Sequence, residues 1–136
     1  MGIFATIFGC GKGDGRFISE PEFQENLEKQ TTMSPQTLAQ LREYDVTDQT
    51  TLKLEYFFYT DSHEKAKSLS NALMEEGYSS DYGKSAGDKK IFLVTGWTIP
   101  MTMSEEIIVN WTREMCKIGF DHDSDFDGWG TNPEQD

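Results

Sequence analysis

From Leu52 onward, the apolar positions of the chain switch between a period of two residues and a period of about 3.6. The pattern predicts strands at 52–60, 78–82, 90–98 and 120–126, and helices at 63–76 and 104–119. Asp61 or Ser62 caps the first helix, Ser104 caps the second, and Gly119 ends it. This order favours an α+β fold of the ferredoxin-like βαββαβ type, a four-stranded antiparallel sheet with two helices on one face.

Two short helices are predicted ahead of this unit. Ser19 and Glu22 fit a capping box, and Ser34-Pro35 presents a second helix-opening signal. Alternating glycines from Gly9 to Gly15 are typical of a flexible linker. The predicted organisation is a flexible arm at 1–16, a helical segment at 17–48 and the ferredoxin-like domain at 49–136.

Composition narrows the class of partner. The 136 residues include 24 Asp and Glu against 12 Lys and Arg, a formal net charge of −12. The electrostatic field of this negative charge repels nucleic acid and anionic membranes, and it attracts basic protein segments or cations. No apolar run approaches the roughly 20 residues of a membrane-spanning helix. Cys10 and Cys116 are the only cysteines, which indicates reduced thiols in a cytoplasmic protein rather than a disulfide framework.

The sequence shows no catalytic constellation. His63 and His122 have no nucleophile beside them in the sequence, and Cys116 lies between inward positions of a predicted helix. A binding protein without catalytic activity or cofactor is therefore predicted.

The acidic run near the C-terminus allows two interpretations. Residues 123–128 together with Thr131 and Glu134 match the spacing of a calcium loop. However, a calcium loop of this type needs a helix on each side, and Gly119 and Pro133 are expected to prevent them. Weak cation binding by the clustered aspartates is then the alternative to a true calcium site. If residues 120–126 form a strand, residues two apart share a face and lie about 6.6 Å apart. A ladder of carboxylates ending at Trp129 is then predicted, formed by Asp121, Asp123, Asp125 and Asp127.

Aromatic side chains complete the predicted interface. Phe57 and Tyr59 are expected to share the uncovered sheet face with the aspartate ladder. Trp97 and Trp129 are candidate anchors, because tryptophan buries much apolar area with little flexibility to lose. The same face could also pair two copies of the chain.

The segment Asp127-Gly128-Trp129-Gly130-Thr131, preceded by an acidic strand, resembles the regulator of ribonuclease activity B (RraB) family. The similarity extends over residues 52–131, and residues 17–38, 85–90 and 95–98 also fit members with a longer N-terminal region. The resemblance implies a non-catalytic ferredoxin-like protein that binds the basic, RNA-binding scaffold region of ribonuclease E and restrains RNA cleavage.

Three hypotheses follow from the sequence. The first is a regulator of RNA turnover that binds a ribonuclease through the acidic strand and the tryptophans. The second is an acidic module that neutralises another protein, such as a toxin. The third is a cation-dependent enzyme or sensor built on Asp123, Asp125, Asp127 and Glu134.

Overall fold

The computed structural model describes residues 15–135, which form three α-helices and two antiparallel β-sheets. The helices are α1 (Glu20–Leu41), α2 (His63–Glu75) and α3 (Glu105–Asp121). The strands are β1 (Thr51–Leu52), β2 (Glu55–Thr60), β3 (Asp81–Lys84), β4 (Phe92–Trp97), β5 (Met101–Thr102) and β6 (Asp125–Gly130). The predicted α+β class is confirmed.

The larger sheet has the strand order β3-β4-β2-β6, and all neighbouring strands are antiparallel. The predicted strand at 52–60 is divided, because β1 pairs with the two-residue β5 in a separate small sheet. β3 lies later in the chain than the strand predicted at 78–82. Ser62 and Ser104 cap α2 and α3 as predicted, each accepting a hydrogen bond from the backbone three residues on.

The core lies between one face of the larger sheet and helices α2 and α3. Alternate residues of β2 point into it, and Tyr56, Phe58 and Thr60 are fully buried. Val94 of β4 and Phe126 of β6 join the same cluster. The side chains between them on β2 are only half-buried, because they belong to the opposite face.

The N-terminal region forms one helix rather than the two predicted. The capping box at Ser19 and Glu22 is present as expected, and the helix then runs through Ser34 and Pro35 without a break. Proline removes one backbone donor, but buried side chains along one stripe hold both halves of α1 against α3. These are Gln30, Ser34, Leu38 and Leu41. Tertiary packing therefore overrides the local start signal.

The predicted strand at 120–126 is wrong in its position. α3 continues through Gly119 to Asp121, and β6 begins only at Asp125. Gly119 serves close packing instead of helix termination, because a Cβ there would lie 2.9 Å from the Ser124 carbonyl oxygen. The chain reverses at Asp123, whose φ of 54° is left-handed.

The predicted flexible arm falls mostly outside the described residues, which begin at Gly15. Arg16 is in contact with the fold, since its guanidinium lies 4.3 Å from the Phe120 ring centroid and donates to the Phe120 carbonyl oxygen at 2.7 Å. None of the helices in residues 15–135 combines the length and the apolar composition that a membrane span requires.

Candidate protein interface

One face of the larger sheet, here called the open face, carries apolar side chains with carboxylates at its margins. In an antiparallel ladder, directly opposed residues share a face. The pairs are Glu55 with Trp97, Phe57 with Thr95, Tyr59 with Leu93, Asp81 with Thr95, and Asp125 with Tyr59. The open face is therefore made of Glu55, Phe57, Tyr59, Asp81, Leu93, Thr95, Trp97 and Asp125.

The apolar members of the open face lie outside the hydrophobic core. None of Phe57, Tyr59, Leu93 and Trp97 belongs to the core cluster or to the half-buried residues packed against it. Trp97, at the end of β4, is 36% exposed. Sequence alternation placed Phe57 and Tyr59 together, and the β2–β4 register now adds Trp97 to them.

The N-terminal helix covers an edge of the sheet instead of the open face. α1 lies along α3 and reaches β6, where the side-chain amides of Asn26 and Gln30 donate to the Phe126 carbonyl oxygen. The distances are 2.8 and 3.4 Å. These contacts occupy an outward-facing backbone acceptor of an edge strand, which blocks pairing with another chain. No helix of residues 15–135 packs over the open face.

The middle of the open face contains an unusual hydroxyl. Thr95 stands between Phe57 on β2 and Asp81 on β3. Its Oγ1 is buried and has no hydrogen-bond partner among the described residues. Such groups are uncommon in native structures. Sequence reasoning missed Thr95, Leu93 and Asp81, because their place on the open face depends on the register between strands. The available signal was Trp97, since Leu93 and Thr95 lie an even number of residues before it in β4.

The four aspartates of the predicted ladder occupy different environments, so the ladder itself is wrong. Asp121 is the exposed last residue of α3, and Asp123 is buried in the turn that follows. Only Asp125 and Asp127 belong to β6. Asp125 faces Tyr59 across the strands, and Asp127 is exposed in an irregular part of β6.

Burial raises the pKa of Asp125 above its ordinary value, and the nearby negative charge of Asp127 raises it further. Lys29 partly counteracts this shift. The carboxylate form of Asp125 is therefore less favourable in the folded protein than in water, and a nearby cation would relieve this penalty.

Asp123 organises the N-terminal corner of the fold. Its carboxylate accepts hydrogen bonds from the backbone amides of Phe17 at 2.7 Å and Ile18 at 2.9 Å. Lys65 Nζ donates to it at 2.6 Å, and the Arg16 guanidinium lies 3.5 Å away. With a residue exposure of 7%, Asp123 holds the chain before α1 against α2 and is not presented to a partner.

Trp129 faces the helices, although the sequence predicted it at the interface. From Phe126 to Trp129, β6 advances by three positions, whereas its partner β2 advances by only two, from Phe58 to Tyr56. The one extra residue of β6 forms a bulge. Gly128 makes this possible with a φ of 105°. The bulge moves Trp129 to the opposite face from Asp125.

Trp129 there links three elements of the fold. Its Nε1 donates to Ser34 Oγ of α1 at 2.9 Å, and that hydroxyl lies 2.7 Å from Thr112 Oγ1 of α3. Its ring meets Trp111 edge to face with centroids 6.3 Å apart.

Two features of the described residues bear on metal binding and thiol reactivity. No group of three His, Cys, Asp or Glu in residues 15–135 is arranged to hold a metal ion. Cys116 is buried, and burial together with the charge of Asp125 raises its thiol pKa to about 12, so the reactive thiolate is scarce.

Comparison with known proteins identifies a family for this chain. The family model for regulator of ribonuclease activity B matches residues 31–131. The chain belongs to the RraB family. No curated protein matches it. This match confirms the resemblance seen at residues 127–131. RraB is a regulatory family rather than a catalytic one.

The RraB match contains the whole open face, both sheets, α2 and α3. It begins inside α1, so Asn26 and the corner around Arg16 lie outside it while Gln30 stands directly before it. The Asp127–Thr131 segment of this RraB protein supplies a bulge and an internal anchor. The open face beside it is provided by β2, β3, β4 and Asp125 of β6.

Proposed function

We propose that this protein is a non-catalytic cytoplasmic regulator that binds a basic segment of an endoribonuclease, of the ribonuclease E type, and thereby modulates RNA cleavage. The RraB family supplies the regulation of ribonuclease activity. The observation that carries the proposed site is the open face, an apolar surface with carboxylates at its margins that no described helix covers.

A ferredoxin-like arrangement explains why no described helix covers this face. The strand order β3-β4-β2-β6, with α2 and α3 sharing a core with one side of the sheet, supports that arrangement. Both helices lie on the same side, so no helix of residues 15–135 covers the other side. An apolar sheet surface of this kind usually marks an interface.

The chemistry of the open face suits a basic segment that also carries apolar groups. Phe57, Tyr59 and Trp97 offer large apolar area, and aromatic faces attract Lys and Arg cations. Glu55, Asp81 and Asp125 place negative charge around them. The net charge of −12 also steers a basic partner toward the protein. Like charge disfavours pairing of two copies, which light scattering of the isolated protein tests.

The penalty on ionised Asp125 supports the same proposal. A half-buried carboxylate with a raised pKa lowers the stability of the free protein at neutral pH. A Lys or Arg of the partner placed beside Asp125 would remove this penalty on binding. Residues that reduce stability are often retained for function.

The test is capture of partners from lysate of the source cells by the tagged full chain, followed by an RNA-cleavage assay with the captured ribonuclease. We expect Trp97→Ala to weaken binding by at least roughly thirtyfold if it is a central anchor. The double variant Glu55→Gln/Asp125→Asn should weaken binding and reduce its salt dependence.

The matched control is Glu75→Gln/Glu114→Gln, which removes the same charge from exposed positions on α2 and α3. Equal losses in the control and the open-face double variant would reject a specific site. Capture of a basic protein that is not a ribonuclease, such as a toxin, would reject the regulator and leave the open face as a general acidic docking surface.

A further inference from the structure

A concave site lies away from the open face, between the end of α1 and the C-terminal segment. It has a volume of about 480 Å³, within the range of roughly 300–1,000 Å³ typical of ligand sites. One wall is formed by Thr37, Gln40 and Leu41 of α1 and by Tyr44 of the short 3₁₀ helix that follows, Arg42–Tyr44. The other wall is the segment 130–134. We call this site the C-terminal cleft.

The second wall of the C-terminal cleft is held by side-chain hydrogen bonds. Gln135 accepts from the Lys53 backbone amide at 2.8 Å and donates to the Lys53 carbonyl oxygen at 3.1 Å. Thr131 Oγ1 donates to the same carbonyl at 2.7 Å. Asn132 closes the turn by accepting from the Glu134 backbone amide at 2.9 Å. A wall braced in this way is formed before any ligand arrives, which lowers the entropy lost on binding.

The lining of the cleft points to one kind of side chain. Leu41 is buried and apolar, while Tyr44 is 65% exposed. Glu134 is the one charged side chain among the described residues that line the cleft. A group that fits must combine an apolar stem with a cationic, planar head.

We propose that the C-terminal cleft binds an arginine side chain of the protein partner. The guanidinium stacks on the Tyr44 ring and pairs with the Glu134 carboxylate, and the methylene stem lies against Leu41. A lysine ammonium lacks the planar head that stacks on an aromatic ring. The basic nature of the partner rests on the proposed function; the preference for arginine rests on the cleft alone.

The test uses two blocked tripeptides, acetyl-Gly-Arg-Gly-amide and acetyl-Gly-Lys-Gly-amide, titrated into the ¹⁵N-labelled full chain at low salt. We expect the arginine peptide to shift the backbone amides of Gln40, Gly130 and Asn132 and to bind roughly two- to fivefold tighter than the lysine peptide. Tyr44→Ala and Glu134→Gln should each weaken binding by a similar factor.

Glu43→Gln is the matched control, because Glu43 is exposed and adjacent to Tyr44 but does not line the cleft. Equal weakening by Glu43→Gln and Glu134→Gln would overturn the proposal in favour of general charge attraction. Absence of shifts at the cleft amides at the highest soluble peptide concentration would overturn it outright, as would equal affinity for the two peptides.

The two proposals fail separately in these experiments. Trp97→Ala should leave tripeptide binding unchanged while it weakens capture of the ribonuclease. If the arginine peptide binds the cleft but no ribonuclease is captured, the cleft stands and the regulator does not. If a ribonuclease is captured and Tyr44→Ala changes neither capture nor peptide binding, the cleft proposal is wrong.

Discussion

Replacing the Asp123 carboxylate by an amide tests whether this residue acts inside the fold. Asp123→Asn preserves the size of the side chain, and asparagine tolerates the left-handed backbone observed at this position. It removes the charge that faces Lys65 and Arg16 and one of the two oxygens that accept from the Phe17 and Ile18 amides. The expected result is lower stability, without a change in the open face.

The magnitude follows from the burial of the partners. Removing one partner of a fully buried ion pair costs about 3–5 kcal/mol. The Lys65 and Arg16 side chains are 31% and 32% exposed, so water replaces part of what is lost. We therefore expect a loss of about 2 kcal/mol in the free energy of unfolding, which corresponds to roughly 6–10 °C in Tm for a domain of this size.

Urea and thermal unfolding measure this effect, and Asp61→Asn is its control. Asp61 binds the same Lys65 Nζ at 2.8 Å, but its side chain is 37% exposed, so the loss should be at most about 1 kcal/mol. Equal destabilisation by the two variants would refute the reasoning from burial. Wild-type stability combined with lost partner binding in Asp123→Asn would refute the internal role altogether.

The same pair makes a prediction at high pH. Partial burial lowers the pKa of Lys65, but the hydrogen bonds and charges of Asp123 and Asp61 more than offset this, and the net shift is upward. The stabilisation is thus fully present below the ordinary lysine pKa and is lost as pH rises through the raised value. Asp123→Asn should make the alkaline fall in stability shallower.

Three further predictions concern single side chains. Trp129→Phe removes the hydrogen bond to Ser34 and should lower the free energy of unfolding, measured in urea, by about 1 kcal/mol. An unchanged free energy of unfolding would show that the ring alone anchors α1. Asp125→Asn should stabilise the free protein at neutral pH, and the wild type should regain stability relative to the variant as the pH falls through the raised pKa of Asp125 in the folded state. A variant less stable than the wild type at neutral pH would contradict this prediction. In a Cys10→Ser background, Cys116 should react with a thiol reagent only on unfolding, since its pKa is about 12; rapid labelling of the native protein would oppose this.

The sequence predicted the elements whose signals are long and consistent. The alternation in β2 and the helical spacing in α2 and α3 leave little choice of period, and Ser62 and Ser104 cap as expected. The same kind of local signal misled at Ser34-Pro35 and at Gly119. Each looks like a helix boundary, and each is a site of close packing inside a helix. Local propensity cannot distinguish these cases, because the distinction depends on contacts with distant residues.

The candidate site could be predicted only in part for a similar reason. Phe57 and Tyr59 follow from alternation within a single strand, whereas Thr95 and Asp81 require the register between strands. Trp129 was placed on the wrong face because one extra residue in β6 inverts the alternation beyond it. A bulge of this kind has only Gly128 as its signal, and glycine has many other uses.

The acidic run shows why spacing alone is a weak guide to charge. Its four aspartates alternate in the sequence, yet the run includes the end of a helix, a left-handed turn and a strand. One carboxylate stabilises the fold, one lowers its stability on the open face, and the other two are exposed. Removing several of these charges together would combine opposite effects, and lost binding could then reflect partial unfolding at Asp123. Single substitutions at Asp125 and Asp123 separate the two effects. The first should weaken binding while raising stability, and the second should lower stability while leaving binding unchanged.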